Sequence, residues 1–289
     1  MPNATNWIRK NQRATTANLC EPYGFGVHIA LLPQCPSKTV ASLCCYITYG
    51  NDIYEWCRDH RVHHKFTETD ADPHNMKRGF FFAHIGWLMC RKHPDVAKKG
   101  KTVFLGDLWA DPIVRFQRRF YNPLVLFFCF YMPTMIPVWC WDETVWNSFF
   151  IAVMARYGVS MNSTFLVNSA AHKYGNQPFD KYIEARENPV VALLTGGEGW
   201  HNYHHVFPWD YATSELGYTF NLTKVFIDVM AMIGLAYDLK TANPNAIKER
   251  KLKSGDGARV KFNEKRKILY TPNVKNKVIP TSYFSKEYK

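Results

Sequence analysis

The sequence predicts an all-α fold, in which a partial bundle of membrane helices with one transmembrane hairpin lies beneath a helical cap. Two long apolar segments separated by a short acidic turn predict the hairpin. Two copies of one histidine pattern at helical spacing predict the cap. Hydrophobic residues make up 47% of the 289 residues, which is enough for a sizeable core. We expect a divergent N-terminal segment at 1–50, a main domain at 51–257 with its hairpin at about 124–167, and a basic tail at 258–289.

The net charge of +12 is concentrated at the C-terminal end, where residues 240–289 hold 14 lysines and arginines against four acids. These charges form no nucleic-acid-binding motif, so the sequence predicts attraction to an anionic membrane surface and no nucleic-acid partner. The eight cysteines form no Cys-x-x-Cys pair. Their pattern therefore indicates reduced thiols in a protein that faces the cytosol.

The first helical pattern covers residues 51–66, and a polar turn at 70–75 ends it. Before it, prolines interrupt residues 1–50, whose best apolar run is too short to cross a bilayer, so we expect no membrane helix there. After it, residues 107–120 predict a surface helix with arginines on its polar side. A last amphipathic helix is expected at 226–237.

The strongest membrane signal is the stretch from Leu124 to Trp141, 18 residues without a charge. After the turn at 142–144, residues 145–167 can return across the bilayer, although Arg156 would cost about 2.5–3.5 kcal/mol at mid-membrane unless it faces a partner. Lysines and arginines flank the hairpin and are absent from its turn, which predicts a lumenal turn and histidine clusters on the cytosolic side. Two buried helices of a soluble domain are the alternative, and the mean hydropathy of −0.29 favours it.

One histidine pattern occurs twice, as HRVHH at 60–64 and HNYHH at 201–205. Positions i, i+3 and i+4 share one face of a helix, so each copy directs three imidazoles at one point. Asn168 and His172 likewise share a helix face at the end of the second span. Structural zinc needs four ligands and usually includes cysteine, whereas this set has too many histidines and no matching cysteine. The pattern predicts two metal ions and leaves the choice among zinc, copper, iron and nickel open.

The residues around both copies form longer motifs. The first lies in NDIYEWCRDHRVHHK at 51–65, followed by TDADPHN at 69–75, and the second follows RENP at 186–189 within GGEGWHNYHH at 196–205. These motifs resemble the second and third histidine boxes of the acyl-CoA desaturases of the stearoyl-CoA desaturase type, and they are most similar to the insect members. The resemblance extends from about Asn51 to Gly257.

The resemblance implies an enzyme of the endoplasmic reticulum membrane that uses O₂, and electrons from cytochrome b5 and its reductase, to introduce a double bond into a long-chain fatty acyl-CoA. Its metal site would hold two iron ions on the cytosolic side. The implied iron ligands are His60, His63, His64, His172, His201, His204 and His205, with Asn168 binding through water. The implied acyl-CoA contacts are Asn51, Arg58 and Asp59 near the pantetheine, and Arg91 and Lys92 near the nucleotide phosphates.

The first box of that family, His-Arg-x-x-x-His, and its first membrane hairpin have no counterpart in the sequence, where His28 is the only histidine before His60. Two of the family's nine histidine ligands are therefore missing. Three explanations stay open: an incomplete gene model or splice form, an inactive paralogue, and an active variant with substitute ligands such as His28 or His74. Two other functions remain as alternatives: a non-catalytic paralogue that binds acyl-CoA or a partner, and another di-iron membrane enzyme such as a lipid hydroxylase.

Overall fold

The computed structural model describes residues 51–258, and helices account for nearly all of their regular structure. Within these residues the extended pairings are two isolated bridges, which link Glu187 to Asn176 and to Trp200. The predicted all-α class is confirmed in this sense. The N-terminal segment, the basic tail beyond Ala258, and His28 lie outside the described residues.

The helices that matter for the site are numbered in chain order: α1 Ile53–Phe66, α2 Pro94–Gly100, α3 Gly106–Ala110, α4 Pro112–Arg119, α5 Tyr121–Trp141, α6 Val145–Lys173, α7 Pro189–Thr195, α8 His201–Val206, α9 Leu222–Met232 and α10 Pro244–Ser254. Both long helices contain a π-helical segment, Leu126–Tyr131 in α5 and Phe149–Ala155 in α6.

Helix α1 joins the cap to the long helices. It begins where Asp52 accepts the backbone N–H of Glu55 in an N-cap hydrogen bond of 3.0 Å. Its apolar side places Ile53 in one buried cluster with Val167 and Ala171 of α6. Full burial of an isoleucine side chain contributes roughly 1.5–3 kcal/mol. This packing sets α1 against the end of α6 that carries the predicted metal ligand.

Helices α5 and α6 pack side by side as a hairpin, and both are longer than predicted. α5 begins at Tyr121 instead of Leu124, and α6 continues to Lys173 instead of ending at Val167. In the most apolar 18-residue stretch of each helix, only 22% of α5 and 17% of α6 is buried, whereas a core helix of a soluble domain would be mostly buried. The exposure favours membrane spans. Three exposed tryptophans lie near the turn, as in an interfacial aromatic belt: Trp139, Trp141 and Trp146.

The hairpin provides partners for Arg156. The Nε of Arg156 donates to the carbonyl of Ala152 at 2.9 Å, and the Nη2 of Arg156 donates to the carbonyl of Cys129 at 3.0 Å. Both carbonyls lie in π-helical segments, where the usual helical hydrogen-bond register is shifted. The guanidinium therefore faces backbone acceptors of both helices, which is the condition under which a charge is tolerated in a membrane span.

The prediction of one continuous helix at 107–120 is wrong. The chain forms α3 and α4 instead, because Pro112 has no N–H to continue a helix and suits the first position of a new one. Asp111 caps α4 by accepting the N–H of Ile113 at 2.8 Å. The arginine-rich side of α4 also contacts the protein, since Arg118 pairs with Asp52 at 2.9 Å.

The helix expected at 226–237 is also shifted. α9 begins at Leu222, because Asn221 accepts the N–H of Lys224 at 2.9 Å and caps it. It ends at Met232, just before Gly234, whose φ of +77° is the left-handed conformation that terminates helices.

Candidate metal centre

Helix α1 places the first three histidines on its inner face. His60 and His63 are buried, and His64 is half-buried. Arg61, between these histidines, anchors the helix to α3, since its guanidinium forms a bidentate ion pair with Asp107 at 2.8 and 2.7 Å. The spacing therefore produces one histidine face on a helix that is anchored to α3.

The second histidine pattern lies on α8, a helix of six residues that would not be stable alone. The buried Asn202 anchors it: its Oδ1 accepts two backbone N–H groups at 2.8 and 3.1 Å, and its Nδ2 donates to the carbonyls of Asp180 and Ala185 at 2.9 Å. The hydroxyl of Tyr203 donates to Asp210 at 2.5 Å. The two residues between the histidines thus hold the helix in place.

The glycines before α8 allow it to lie close to α7. A Cβ on Gly199 would lie 2.1 Å from the nitrogen of Ala192 and 2.3 Å from the carbonyl oxygen of Asn188. Gly196, with a φ of +75°, ends α7. The glycine-rich sequence before the histidines is therefore a steric requirement of the α7–α8 packing.

The seven predicted histidines converge in two adjacent groups. We call them the four-histidine group, His63, His172, His201 and His205, and the three-histidine group, His60, His64 and His204. Within each group, the nitrogens that could bind a metal all lie within 4.8 Å of one another. The groups are neighbours, because the rings of His64 and His205 stack with centroids 4.2 Å apart.

The distances within the groups fit metal ions better than hydrogen bonds. The Nε2 of His64 lies 2.8 Å from that of His60 and 2.7 Å from that of His204. One N–H can bridge only one of these contacts, which leaves lone pairs directed at each other. His201 is in the same position, with two neighbouring Nε2 atoms at 2.9 and 3.0 Å. A shared cation would remove this conflict.

Burial keeps most of these imidazoles neutral, which is the form that binds metals. Desolvation, with repulsion from neighbouring imidazoles, lowers four pKa values well below the ordinary 6.5, those of His60, His64, His201 and His205. For His63, burial also lowers the pKa, but the adjacent Asp72 carboxylate overcomes it and the net shift is upward.

Two further buried polar side chains are candidates for the metal centre. Asn168 is 2% exposed, and its Nδ2 has no hydrogen-bond partner among the described residues. His74 lies with His63 and Asp72 in a third group of possible ligands, and burial lowers its pKa to about 3. The unpartnered amide fits the predicted water-binding role of Asn168. His74 offers one more neutral imidazole, as the substitute-ligand explanation requires.

Two carboxylates at the centre were not identified from the sequence as functional. The Nδ1 of His63 lies 2.8 Å from Asp72, and the Nδ1 of His172 lies 3.1 Å from Glu68. Both carboxylates come from the turn after α1, which the sequence indicates only as a helix end. Their position after a histidine box was the available signal, but the pairing with His172 depends on the tertiary fold.

Three of the five predicted acyl-CoA contacts form one ionic cluster. Arg58 donates to Asp59 at 3.0 and 2.9 Å, and Lys92 pairs with the same carboxylate. Asp59 is buried, Arg91 is exposed beside Lys92 in the sequence, and Asn51 is half-buried just before α1. The cluster therefore lies directly before the first histidine of α1.

Comparison with known proteins agrees with this geometry. A family profile described as "Fatty acid desaturase" matches residues 30–228, more than half of the chain. The chain belongs to the fatty acid desaturase family. Similar proteins include stearoyl-CoA desaturase 5 of Bos taurus, 52% identical over 231 residues, and two proteins of Acheta domesticus, an acyl-CoA Delta12-desaturase and an acyl-CoA Delta-9 desaturase, each 55% identical over 232 residues.

These alignments cover 80% of this chain and 69%, 65% and 65% of the three relatives, so the chain spans about two thirds of their length. The family match favours the desaturase interpretation over a lipid hydroxylase. The family and the two apolar helices together indicate a membrane protein. The profile match begins at residue 30, whereas the motif resemblance begins only at about Asn51.

Proposed function

We propose that this chain is a fatty acyl-CoA desaturase of the endoplasmic reticulum membrane, with a two-iron centre that faces the cytosol. It would use O₂, and electrons from cytochrome b5 and its reductase, to introduce a double bond into a long-chain acyl-CoA. The convergence of seven histidines in two adjacent groups is the observation that supports the proposal most. The family match supports it independently.

The residues present fit iron. The four-histidine and three-histidine groups would each hold one ion, and bound iron would supply the O₂ chemistry that side chains alone cannot. The chain's own contribution is to present neutral imidazoles, to exclude bulk water by burial, and to hold a water at Asn168. The burial of these histidines and of Asn168 supports these roles.

The ionic cluster before the first histidine fits the coenzyme end of the substrate. Arg91 and Lys92 are cations of the kind that binds the nucleotide phosphates, and Asp59 pairs with both Lys92 and Arg58, the latter expected near the pantetheine. Because Asp59 directly precedes His60 on α1, one rigid helix would orient both the coenzyme and the metal centre. Such orientation matters, since displacements of about 1 Å can lower a rate about 100-fold.

Product formation in desaturase-deficient cells tests the proposal. We expect the 289-residue chain alone to form little unsaturated product, because its sequence contains no His-x-x-x-x-His pair and a site that lacks two ligands would bind metals without holding them at the fixed spacing that O₂ chemistry needs. The same chain with a family hairpin and His-Arg-x-x-x-His box grafted ahead of Asn51 should form unsaturated acyl chains. His204→Ala in the grafted chain should abolish them.

The other interpretations predict different products or different binding properties. Hydroxylated acyl chains would indicate a lipid hydroxylase. Acyl-CoA binding without iron would indicate a non-catalytic paralogue, and a grafted chain that holds iron but forms no product would contradict the desaturase proposal. Unsaturated products from the unmodified chain would show that other residues, such as His28 or His74, supply the missing ligands.

A further inference from the structure

The turn that follows α1 carries two buried carboxylates within five residues. We call residues 67–72 the carboxylate turn. Glu68 is 8% exposed and Asp72 is 3% exposed, whereas Asp70 between them faces solvent. Carboxylates are rarely buried unless they have specific partners. The partners of these two therefore indicate what the turn does.

Both carboxylates contact histidines of the four-histidine group. Asp72 Oδ1 lies 2.8 Å from the Nδ1 of His63, and Glu68 Oε1 lies 3.1 Å from the Nδ1 of His172. Since the Nε2 atom of His172 is directed at the cluster, its Nδ1 carries the proton and donates. A carboxylate behind a histidine fixes the ring orientation and the tautomer, and it makes the other nitrogen a stronger metal ligand.

The turn is also built around this arrangement. Asp72 Oδ2 accepts the backbone N–H of Glu68 at 2.9 Å, and Asp72 Oδ1 accepts that of His74 at 2.9 Å, so one carboxylate organises the turn and contacts His63. Glu68 has a φ of +59°, a left-handed conformation that is unfavourable for most residues other than glycine and asparagine. A glutamate held in this conformation has its side chain aimed at His172, a strain of the kind found at functional sites.

We propose that Glu68 and Asp72 are positioning residues that orient His172 and His63 and so set the metal affinity of the four-histidine group. The proposal rests on the proposed two-metal centre and deepens it. In this proposal neither carboxylate is itself a ligand of the four-histidine group. Each acts through the histidine that it contacts, which makes the two pairs separable by mutation.

Metal binding to the purified full chain in detergent tests the proposal, with Co²⁺ as the probe because its absorption reports on its ligands. Glu68→Gln and Asp72→Asn keep the side-chain shape and remove the charge. Each should weaken Co²⁺ binding about 10- to 100-fold, the usual effect of losing such a partner. Asp70→Asn is the matched control in the same turn and should bind as the unsubstituted chain does.

Double variants separate positioning from a general structural effect. If Glu68 acts through His172, then Glu68→Gln should cause no further loss of Co²⁺ affinity in a His172→Ala background. The same should hold for Asp72→Asn in a His63→Ala background. Where Asp72→Asn fails to fold, the Glu68 pair decides the question alone.

The proposal is overturned if folded Glu68→Gln protein binds Co²⁺ as tightly as the Asp70→Asn control. It is also overturned if Glu68→Gln weakens binding equally with and without His172. Both readouts are binding measurements that need no turnover. A failure of desaturation in cells would therefore leave this test intact, and a failure here would leave the activity test intact.

Discussion

Single residues at the centre owe their protonation states to burial. Desolvation holds five histidines below their ordinary pKa, namely His60, His64, His74, His201 and His205. In the unfolded chain these groups would titrate near 6.5. The difference makes the folded state sensitive to acid, because protonation of these groups favours unfolding.

The metal-free protein should therefore lose stability as the pH falls from 7 to 5. In this range the unfolded chain takes up protons that the folded chain does not, so His74 alone, with a pKa of about 3, contributes about 1.4 kcal/mol per pH unit below 6.5. His63, whose pKa is raised, acts in the opposite direction but is one group against five. Denaturant unfolding at pH 7, 6 and 5 measures the slope. His74→Asn should reduce it, and a stability independent of pH would refute this account.

Among the elements, the α7–α8 contact should be highly sensitive to a single substitution. Gly199→Ala should destabilise the protein by about 3 kcal/mol, the upper end for overpacking, because its Cβ would collide with the backbone of α7. Metal binding should weaken with it, since α8 carries three of the histidines. Gly158→Ala in α6 is the control, because a Cβ there meets nothing within 4 Å. Equal unfolding midpoints for the two variants would show that the close approach is not required.

Some elements of the fold could be predicted from the sequence and others could not. The histidine faces of α1 and α8 follow directly from helical spacing. The break at Pro112 could also be predicted, because proline has no N–H with which to continue a helix. The π-helical segments were not predictable, because apolar composition does not determine hydrogen-bond register. The role of Glu68 was hidden for a similar reason: it depends on a left-handed residue and on a histidine that only the fold brings near.

At the scale of the whole molecule, we predict that the hairpin turn at 142–144 lies in the lumen and the metal centre in the cytosol. The turn lacks lysine and arginine, whereas Arg118 and Lys173 lie at the opposite ends of the two spans. A glycosylation acceptor engineered into the turn should be modified in microsomes, and one placed after Lys173 should not. The reverse pattern of glycosylation would show that the turn lies in the cytosol and would contradict this prediction.

Iron content per chain, measured on protein purified in detergent after anaerobic loading, tests the central claim that two histidine groups form two metal positions. The pair of substitutions His64→Ala and His204→Ala should remove the iron of one group and leave the other, and His201→Ala with His205→Ala should do the converse. His93→Ala, at an exposed histidine outside both groups, is the control and should change nothing. All four substitutions together should leave the protein without iron. Iron content that stays at the control value in both pairs of variants would contradict the account.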